Sequence, residues 1–313
     1  MKLLLHYAAG PNLSKIVAAL PAPFRCAVVV PGDEAGLKRE LADTEILLHV
    51  LESVTMAMID AAPRLKLIQK IGVGVDAIDL DHAKHRGVAV CNMPGTNTAA
   101  VAELALGLML SCLRRIPTLA TGTASATSWA ASRQLGDSLG EIGGRTVGLI
   151  GFGAVPQRLA PVLSALGARV IATSRTLRPH DGVEFVPLET LLSAADIVSL
   201  HLPATPETHN LLDARRIRTM KPGAILINTA RGSLVDEAAL ASALSENYLA
   251  AAGLDVFATE PLAADNPLPG LPNVICTPHL AWLTRETLGR SMAVALENAH
   301  RLSNGADLLH RVA

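Results

Sequence analysis

The chain has 313 residues, half of them hydrophobic, enough to bury one large core or two medium ones, and domain-size priors favour two. Its 27 basic and 28 acidic side chains leave a net charge of -1, so no global field draws in a nucleic-acid backbone or an anionic membrane. The four cysteines, Cys26, Cys91, Cys112 and Cys276, are widely spaced, with no CxxC pattern and no histidine at metal-ligand spacing, which argues for a reduced, cytoplasmic chain without a metal site.

From the N-terminus, MKLLLHYAAG is too short an apolar run for a signal peptide and reads as a first strand. CAVVV, EILLHV, LKLIQKIG and VAVCN follow, separated by Gly, Pro or helical patterns, and this alternation predicts a parallel α/β sheet. TNTAAVAELALGLMLSCLRR, after the turn signal MPG, is a strongly apolar helix pattern. Between Thr98 and Leu113 it is interrupted by Glu103 and falls short of the roughly 20 residues of a bilayer span, so it is expected to lead from one domain into the other.

A second, more regular series comes next: TVGLIG, RVIATS, DIVSLHLP, AILINTA, LAAAGLDVF and NVICTPH. After Thr284, RETLGRSMAVALENAHRL is helical in pattern and is expected to return to the first domain. No low-complexity tract or short-period repeat points to a disordered arm or a solenoid.

The segment RTVGLIGFGAVPQRLAPVLSALGARVIATSRT reads as strand, glycine turn, helix and strand, within the roughly 30 residues of a dinucleotide-binding βαβ unit. Gly151 permits the tight turn, and Gly153 lets the backbone approach a pyrophosphate at the helix N-terminus. Pro156 stands where the fingerprint has its third glycine; in the first helical turn its missing N–H has no intrahelical partner, so the helix can still start.

The end of the next strand decides between dinucleotides. A carboxylate there would bind the adenosine ribose, but the strand ends in Ser174, Arg175 and Thr176. A hydroxyl and a guanidinium suit a 2'-phosphate, so NADP(H) is favoured, with NAD(H) possible; the alternative leaves Arg175 as a solvated turn residue.

Three further stretches fall at strand ends: NTARGSLVDEAAL around Arg231, LDVFATEPL around Glu260 and TPHLAW around His279. With the glycine loop, KIGVGVDAIDL and PGTNTAAVAELALGLML, they resemble the D-2-hydroxyacid dehydrogenase family through nearly the whole chain. The resemblance implies two doubly wound parallel-sheet domains. A Rossmann-type nucleotide domain over residues 95–283 would be inserted into a flavodoxin-like substrate domain made of residues 1–94 and 284–313.

It also implies roles. His279 becomes the catalytic acid/base, Glu260 its carboxylate partner, and Arg231 the ligand of the substrate carboxylate and carbonyl oxygen. Val73 and Gly74 match backbone amides that bind the substrate carboxylate, or they serve a strand-end turn. Ala154, Val155, Leu202, Pro203, Thr208, Thr229, Ala230 and Asp255 map onto cofactor contacts. Asp255 would face the nicotinamide amide or cap a neighbouring loop.

The chemistry of the residues agrees with these roles. Reducing a 2-oxo acid needs a hydride and a proton, and histidine exchanges protons near neutral pH. A carboxylate beside it favours the protonated ring. Arginine holds a planar carboxylate with two N–H groups, which lysine cannot.

Trp282, where many members have a small residue, would wall the substrate pocket or pack at the hinge. The loop after EILL carries His49, Val50, Leu51 and Glu52 where phosphoglycerate-specific members have arginine, and the stretch after His279 is short for a regulatory module. A small uncharged substrate such as glyoxylate or hydroxypyruvate is therefore expected. Phosphoglycerate, formate or phosphite dehydrogenases, and a nucleotide-sensing protein without turnover, are the alternatives. The family resemblance also implies a homodimer, to which the helix from Thr98 to Leu113 and the arm around Trp129 are suited; the same helix could simply be core.

Overall fold

A computed structural model of the chain describes residues 1–121, 129–130, 133–176 and 179–313. The chain divides into two units: Met1–Asn97 with Trp282–Ala313, and Thr98–Ala281.

In the first unit, strands β1 (Lys2–His6), β2 (Arg25–Val29), β3 (Ile46–His49), β4 (Leu67–Lys70) and β5 (Ala89–Cys91) form one parallel sheet in the order β2-β1-β3-β4-β5, the flavodoxin-like arrangement. The runs ILLH and LIQK are buried at every position because the sheet is covered on both faces. Leu3, Leu5, Ile46, Leu48 and Leu67 point to one core, and Leu4, Leu47, Ile68 and Val90 to the other.

The connections are helices α1 (Pro11–Ala18), α2 (Glu34–Leu41), α3 (Met56–Asp60) and α4 (Leu80–His85). Asp33, Thr55 and Asp79 start α2, α3 and α4 by accepting a backbone N–H of the first turn.

The C-terminal part completes this unit. Helix α11 (Arg285–Ser303) buries Asn298, whose amide donates to Gln69 Oε1 at 2.7 Å and accepts from Leu309 N at 2.7 Å. The last residues then run along β5, with Val312 N donating to Val90 O at 2.8 Å, and so cover an otherwise open edge.

The second unit opens with α5 (Thr98–Arg114) and α6 (Ile116–Thr121). Its sheet contains β6 (Thr146–Ile150), β7 (Arg169–Thr173), β8 (Val183–Phe185), β9 (Ile197–Leu200), β10 (Ile225–Asn228), β11 (Ala251–Leu254) and β12 (Val274–Cys276). The order is β12-β11-β10-β9-β6-β7-β8, all parallel. This is the doubly wound Rossmann order extended by one strand.

Helices α7 (Ala154–Ala165), α8 (Leu188–Ala194), α9 (Ala214–Thr219) and α10 (Glu237–Ser245) connect the strands. The three residues of β8 carry no pattern legible in the sequence, since the strand is short and only partly covered at the sheet edge.

Helix α5 is largely core: Ala102, Ala105, Leu108, Met109, Cys112 and Leu113 are buried, while Leu110 is 37% exposed. The arm expected around Trp129 lies mostly outside the described residues. Among the described residues, no helix is long and apolar enough to cross a membrane.

Candidate active site

The order of the second sheet reverses between β6 and β9, and ligands of doubly wound sheets bind at the carboxyl ends of strands flanking such a point. Gly151 follows β6 with φ +91°, and a Cβ there would sit 2.5 Å from the carbonyl oxygen of His201, just after β9. Only glycine fits both the conformation and the space.

At Gly153, by contrast, a Cβ would meet nothing within 4 Å. The chain's own packing does not demand glycine there, and the bare backbone borders open space at the start of α7, where first-turn N–H groups suit a phosphate. These residues fit a dinucleotide pyrophosphate.

Pro156 is buried in the first turn of α7, and the helix starts at Ala154 regardless. Phe152 anchors the loop, packing edge-on against Phe185 at 5.0 Å and His180 at 5.3 Å.

After β7, Ser174 is half-buried and Arg175 and Thr176 are exposed. Glu207, in the turn after β9, is held below the ordinary carboxylate value by the Thr205 hydroxyl, its own backbone and the charge of Arg175. Thr208 uses its hydroxyl locally, accepting from Thr205 N and donating to Pro203 O, both at 2.8 Å, and shapes the turn after Leu202 and Pro203.

Three neighbouring strand ends bring the expected catalytic residues together. After β10, the buried Asn228 organises the turn: its Nδ2 donates to Arg231 O at 2.8 Å, and its Oδ1 accepts from Ala230 N at 3.0 Å. Thr229 is buried, with no partner for its hydroxyl among the described residues. Arg231 is followed by Gly232, where a Cβ would lie 1.8 Å from the backbone of Phe257. The Arg-Gly pair is therefore a close crossing of two loops.

After β11, Glu260 accepts from Phe257 N at 2.9 Å through Oε1 and contacts His279 Nδ1 at 2.6 Å through Oε2. Burial alone would push the Glu260 carboxyl up. The hydrogen bonds from His279 and Phe257, with the charges of His279 and Arg231, outweigh it and hold the group below its ordinary value. With Nδ1 turned to the carboxylate, Nε2 is the nitrogen left for a reacting group.

Asp255 is fully buried, and its carboxylate accepts from the Thr277 hydroxyl at 2.5 Å, Leu280 N at 2.9 Å and Ala281 N at 2.8 Å. These three bonds cap the loop that follows β12.

Val73 and Gly74 lie in the first unit, after β4. Met93 N donates to Gly72 O at 2.7 Å and Asn92 Nδ2 to Val73 O at 3.0 Å, which fixes the loop, while neither the Val73 nor the Gly74 amide has an acceptor among the described residues. Trp282 is 6% exposed in the first unit's core with Leu288 and Met292, its ring 6.3 Å from that of Tyr7. The bulk of its side chain therefore serves packing.

The family model for "D-isomer specific 2-hydroxyacid dehydrogenase, NAD binding domain" matches residues 106–281. The chain belongs to this family. Glyoxylate reductase from Thermococcus litoralis is 40% identical to it over 245 residues, covering 76% of this chain and 73% of that protein. D-3-phosphoglycerate dehydrogenase from Mycobacterium tuberculosis is 40% identical over 286 residues, covering 90% of this chain and 49% of that protein. The chain thus spans about half the length of the phosphoglycerate dehydrogenases it matches. The crystal structure of TT0316 protein from Thermus thermophilus matches along the whole of both chains, with a TM-score of 0.85 and 36% identity.

In this D-2-hydroxyacid dehydrogenase family member, sequence reasoning passed over Asn228, Thr277 and Glu207. The first two are polar residues at or just past the carboxyl ends of sheet strands, a position that could have drawn attention to them.

Proposed function

We propose that the chain is an NAD(P)H-dependent oxidoreductase that reduces a small 2-oxo acid, glyoxylate, hydroxypyruvate or one like them, to the D-2-hydroxy acid, with NADPH preferred. The observation that carries this reading is the 2.6 Å contact of His279 Nδ1 with Glu260 beside the Arg231 loop, in the unit that also holds the glycine turn.

Gly151, Gly153, Ala154 and Val155 would hold the pyrophosphate, and Ser174, Arg175 and Thr176 the adenosine end. Leu202, Pro203, Thr208, Thr229 and Ala230 would border the remainder. When bound, the dinucleotide supplies a hydride to the carbonyl carbon. Arg231 fixes the substrate carboxylate with paired N–H groups and faces the charge that develops on the carbonyl oxygen. By the family resemblance, Val73 and Gly74 of the first unit would offer backbone amides to a substrate carboxylate. His279 gives its proton from Nε2 to the carbonyl oxygen, so the ketone becomes a hydroxyl, and the ring is reprotonated from solvent. Glu260 remains an anion throughout and keeps the ring oriented.

Phosphoglycerate is the weaker candidate on one specific ground. A phosphate wants an exposed cation after β3, but His49, the last residue of β3, is buried, and desolvation with the charge of Lys70 pushes its imidazole down to about 3, so it stays neutral, while Lys70 is itself buried and donates to Val50 O.

The test is NADPH and NADH oxidation against glyoxylate, hydroxypyruvate, 3-phosphohydroxypyruvate and simple aliphatic 2-oxo acids. The expected result is turnover of the small uncharged-chain acids with kcat/KM higher for NADPH. Arg175→Ala is expected to lower kcat/KM for NADPH by about tenfold and leave NADH little changed, the loss of one charge-assisted hydrogen bond. A clear NADH preference in the parent enzyme would sink the cofactor assignment. Cofactor binding without turnover of any acid would instead favour a nucleotide sensor.

The same reading includes a homodimer in a reducing, cytoplasmic compartment. Leu110 at 37% and Ile116 at 48% exposure offer apolar surface on α5 and α6 to a second copy, and the four cysteines are free thiols. Sedimentation velocity is expected to give twice the chain mass of 32.7 kDa, and a monomer at micromolar concentration would contradict it.

A further inference from the structure

The loop that carries Glu260 runs from the end of β11 to the short helical turn Leu268–Gly270, and from Ala258 onward it is mostly exposed. Burial alone does not fix it. A carboxylate from outside the loop closes it: Glu237 Oε1 accepts from Ala258 N at 2.6 Å, and Oε2 accepts from Asn266 Nδ2 at 2.9 Å. Glu260 lies between the two ends of this clasp. Asn266 is set in turn by its Oδ1, which accepts from Leu268 N at 3.0 Å.

The backbone behind Glu237 is itself fixed. Glu237 is the first residue of α10, whose start Asp236 caps by accepting from Ala239 N at 3.0 Å, and Asp236 N donates to Leu212 O at 3.0 Å. The segment from Arg231 to Glu237 therefore meets the Glu260 loop twice, at the crossing of Gly232 with Phe257 and at the Glu237 carboxylate. From the clasp the bonds continue to the histidine. Phe257 N, next to the clasped amide of Ala258, donates to Glu260 Oε1 at 2.9 Å, and Glu260 Oε2 meets His279 Nδ1 at 2.6 Å.

We infer that Glu237 is a positioning residue: by clasping Ala258 and Asn266 it holds the Glu260 carboxylate on His279 and ties that loop to the segment bearing Arg231. The inference rests on the proposed role of His279 as proton donor.

The test is Glu237→Gln in the full chain, with and without Asn266→Asp. Glutamine can accept from Ala258 N or from Asn266 Nδ2, but it turns an NH2 group toward the other donor. With aspartate at position 266 that NH2 group meets an acceptor, and Leu268 N keeps its partner. The single change is expected to lower kcat for 2-oxo-acid reduction about 5- to 50-fold, between the worth of one hydrogen bond and that of a misplaced catalytic group, with an unchanged NADPH dissociation constant. The double variant is expected to return to within about threefold of the parent, the sign of a restored pair.

The acid limb of kcat is a readout that a simple loss of stability does not move. Burial raises the Glu260 carboxyl, while His279, Phe257 N and the charge of Arg231 outweigh it, so a displaced loop returns the group toward its ordinary value and the limb moves to higher pH. Removing the Glu237 charge without displacing the loop moves the limb the other way.

Parental kcat and pH profile in Glu237→Gln, a limb moved to lower pH, or a double variant as impaired as the single one would each overturn the inference. Should Glu237→Gln fail to fold, Asn266→Ala decides. It opens one end of the clasp, leaves Ala258 N bonded, and is expected to cost about fivefold in kcat, the worth of one hydrogen bond; parental kcat there would overturn the clasp. The NMR resonance of the His279 ring separates this from the wider reading. It should shift in the folded single variant and return in the double one even if the parent chain turns over no 2-oxo acid, and an identical resonance in single variant and parent excludes a positioning role.

Discussion

Replacing His279 with alanine is expected to lower kcat for 2-oxo-acid reduction by about 10²- to 10⁴-fold, the range of a lost general acid, while cofactor affinity stays near that of the parent. The expectation follows from the divided use of the ring. Nδ1 is occupied by Glu260 at 2.6 Å, which leaves Nε2 for the proposed proton transfer. Alanine leaves the hydride chemistry in place but provides no proton for the forming alkoxide.

The partner sets the pH dependence. The Glu260 carboxyl is held below its ordinary value of 4.5 by hydrogen bonds and positive neighbours that outweigh its burial. For a carboxyl depressed in the folded state, the stabilising pair is present above the ordinary value and is lost as pH falls through the depressed one. The acid limb of kcat is therefore expected below pH 4.5. A rapid-mixing pH profile checks this, and an acid limb centred above that point in the folded parent enzyme would count against Glu260 as the titrating partner. A parental rate in His279→Ala would remove the histidine from the mechanism altogether.

The two sheets were legible because each strand is a short apolar run bounded by turn residues, and in a sheet covered on both faces such runs need no alternation. The glycine loop was legible for a local reason too: Gly151 and Gly153 follow a strand and precede a helix, and Pro156 sits where a missing N–H breaks no intrahelical bond.

The polar contacts were harder to foresee because their partners are distant in the chain. Asp255 meets Thr277, Leu280 and Ala281 across 22 to 26 residues, and Glu260 meets His279 across 19. A strand-end aspartate can face a ligand or a neighbouring loop, and its loop donors come into view only with the return of the chain after β12 beside β11. Trp282 shows the same ambiguity, resolved by its contact with Tyr7, a residue at the opposite end of the chain. Strand β8 escaped because three half-covered edge residues impose no period.

Arg231→Lys is expected to reduce kcat/KM by about 10²- to 10³-fold, the cost of losing a preorganised donor to a developing oxyanion, with KM raised as well as kcat lowered. Charge is conserved, so the loss measures geometry. The turn that carries Arg231 is built around the buried Asn228, and its backbone is pinned by the crossing of Gly232 over Phe257. The guanidinium, with Nη1 donating to Ala230 O at 2.7 Å, is therefore presented from a rigid base, and in the proposed role its planar fork would engage a carboxylate with two bonds while facing the carbonyl oxygen. A lysine ammonium on the same base is a point charge that satisfies one of these demands at a time. A variant that kept kcat but lost only KM would mean that Arg231 binds the carboxylate equally in ground and transition states, leaving the carbonyl to His279 alone. Full activity in the lysine variant would show that charge near Glu260, rather than the fork, is what the site requires of this position.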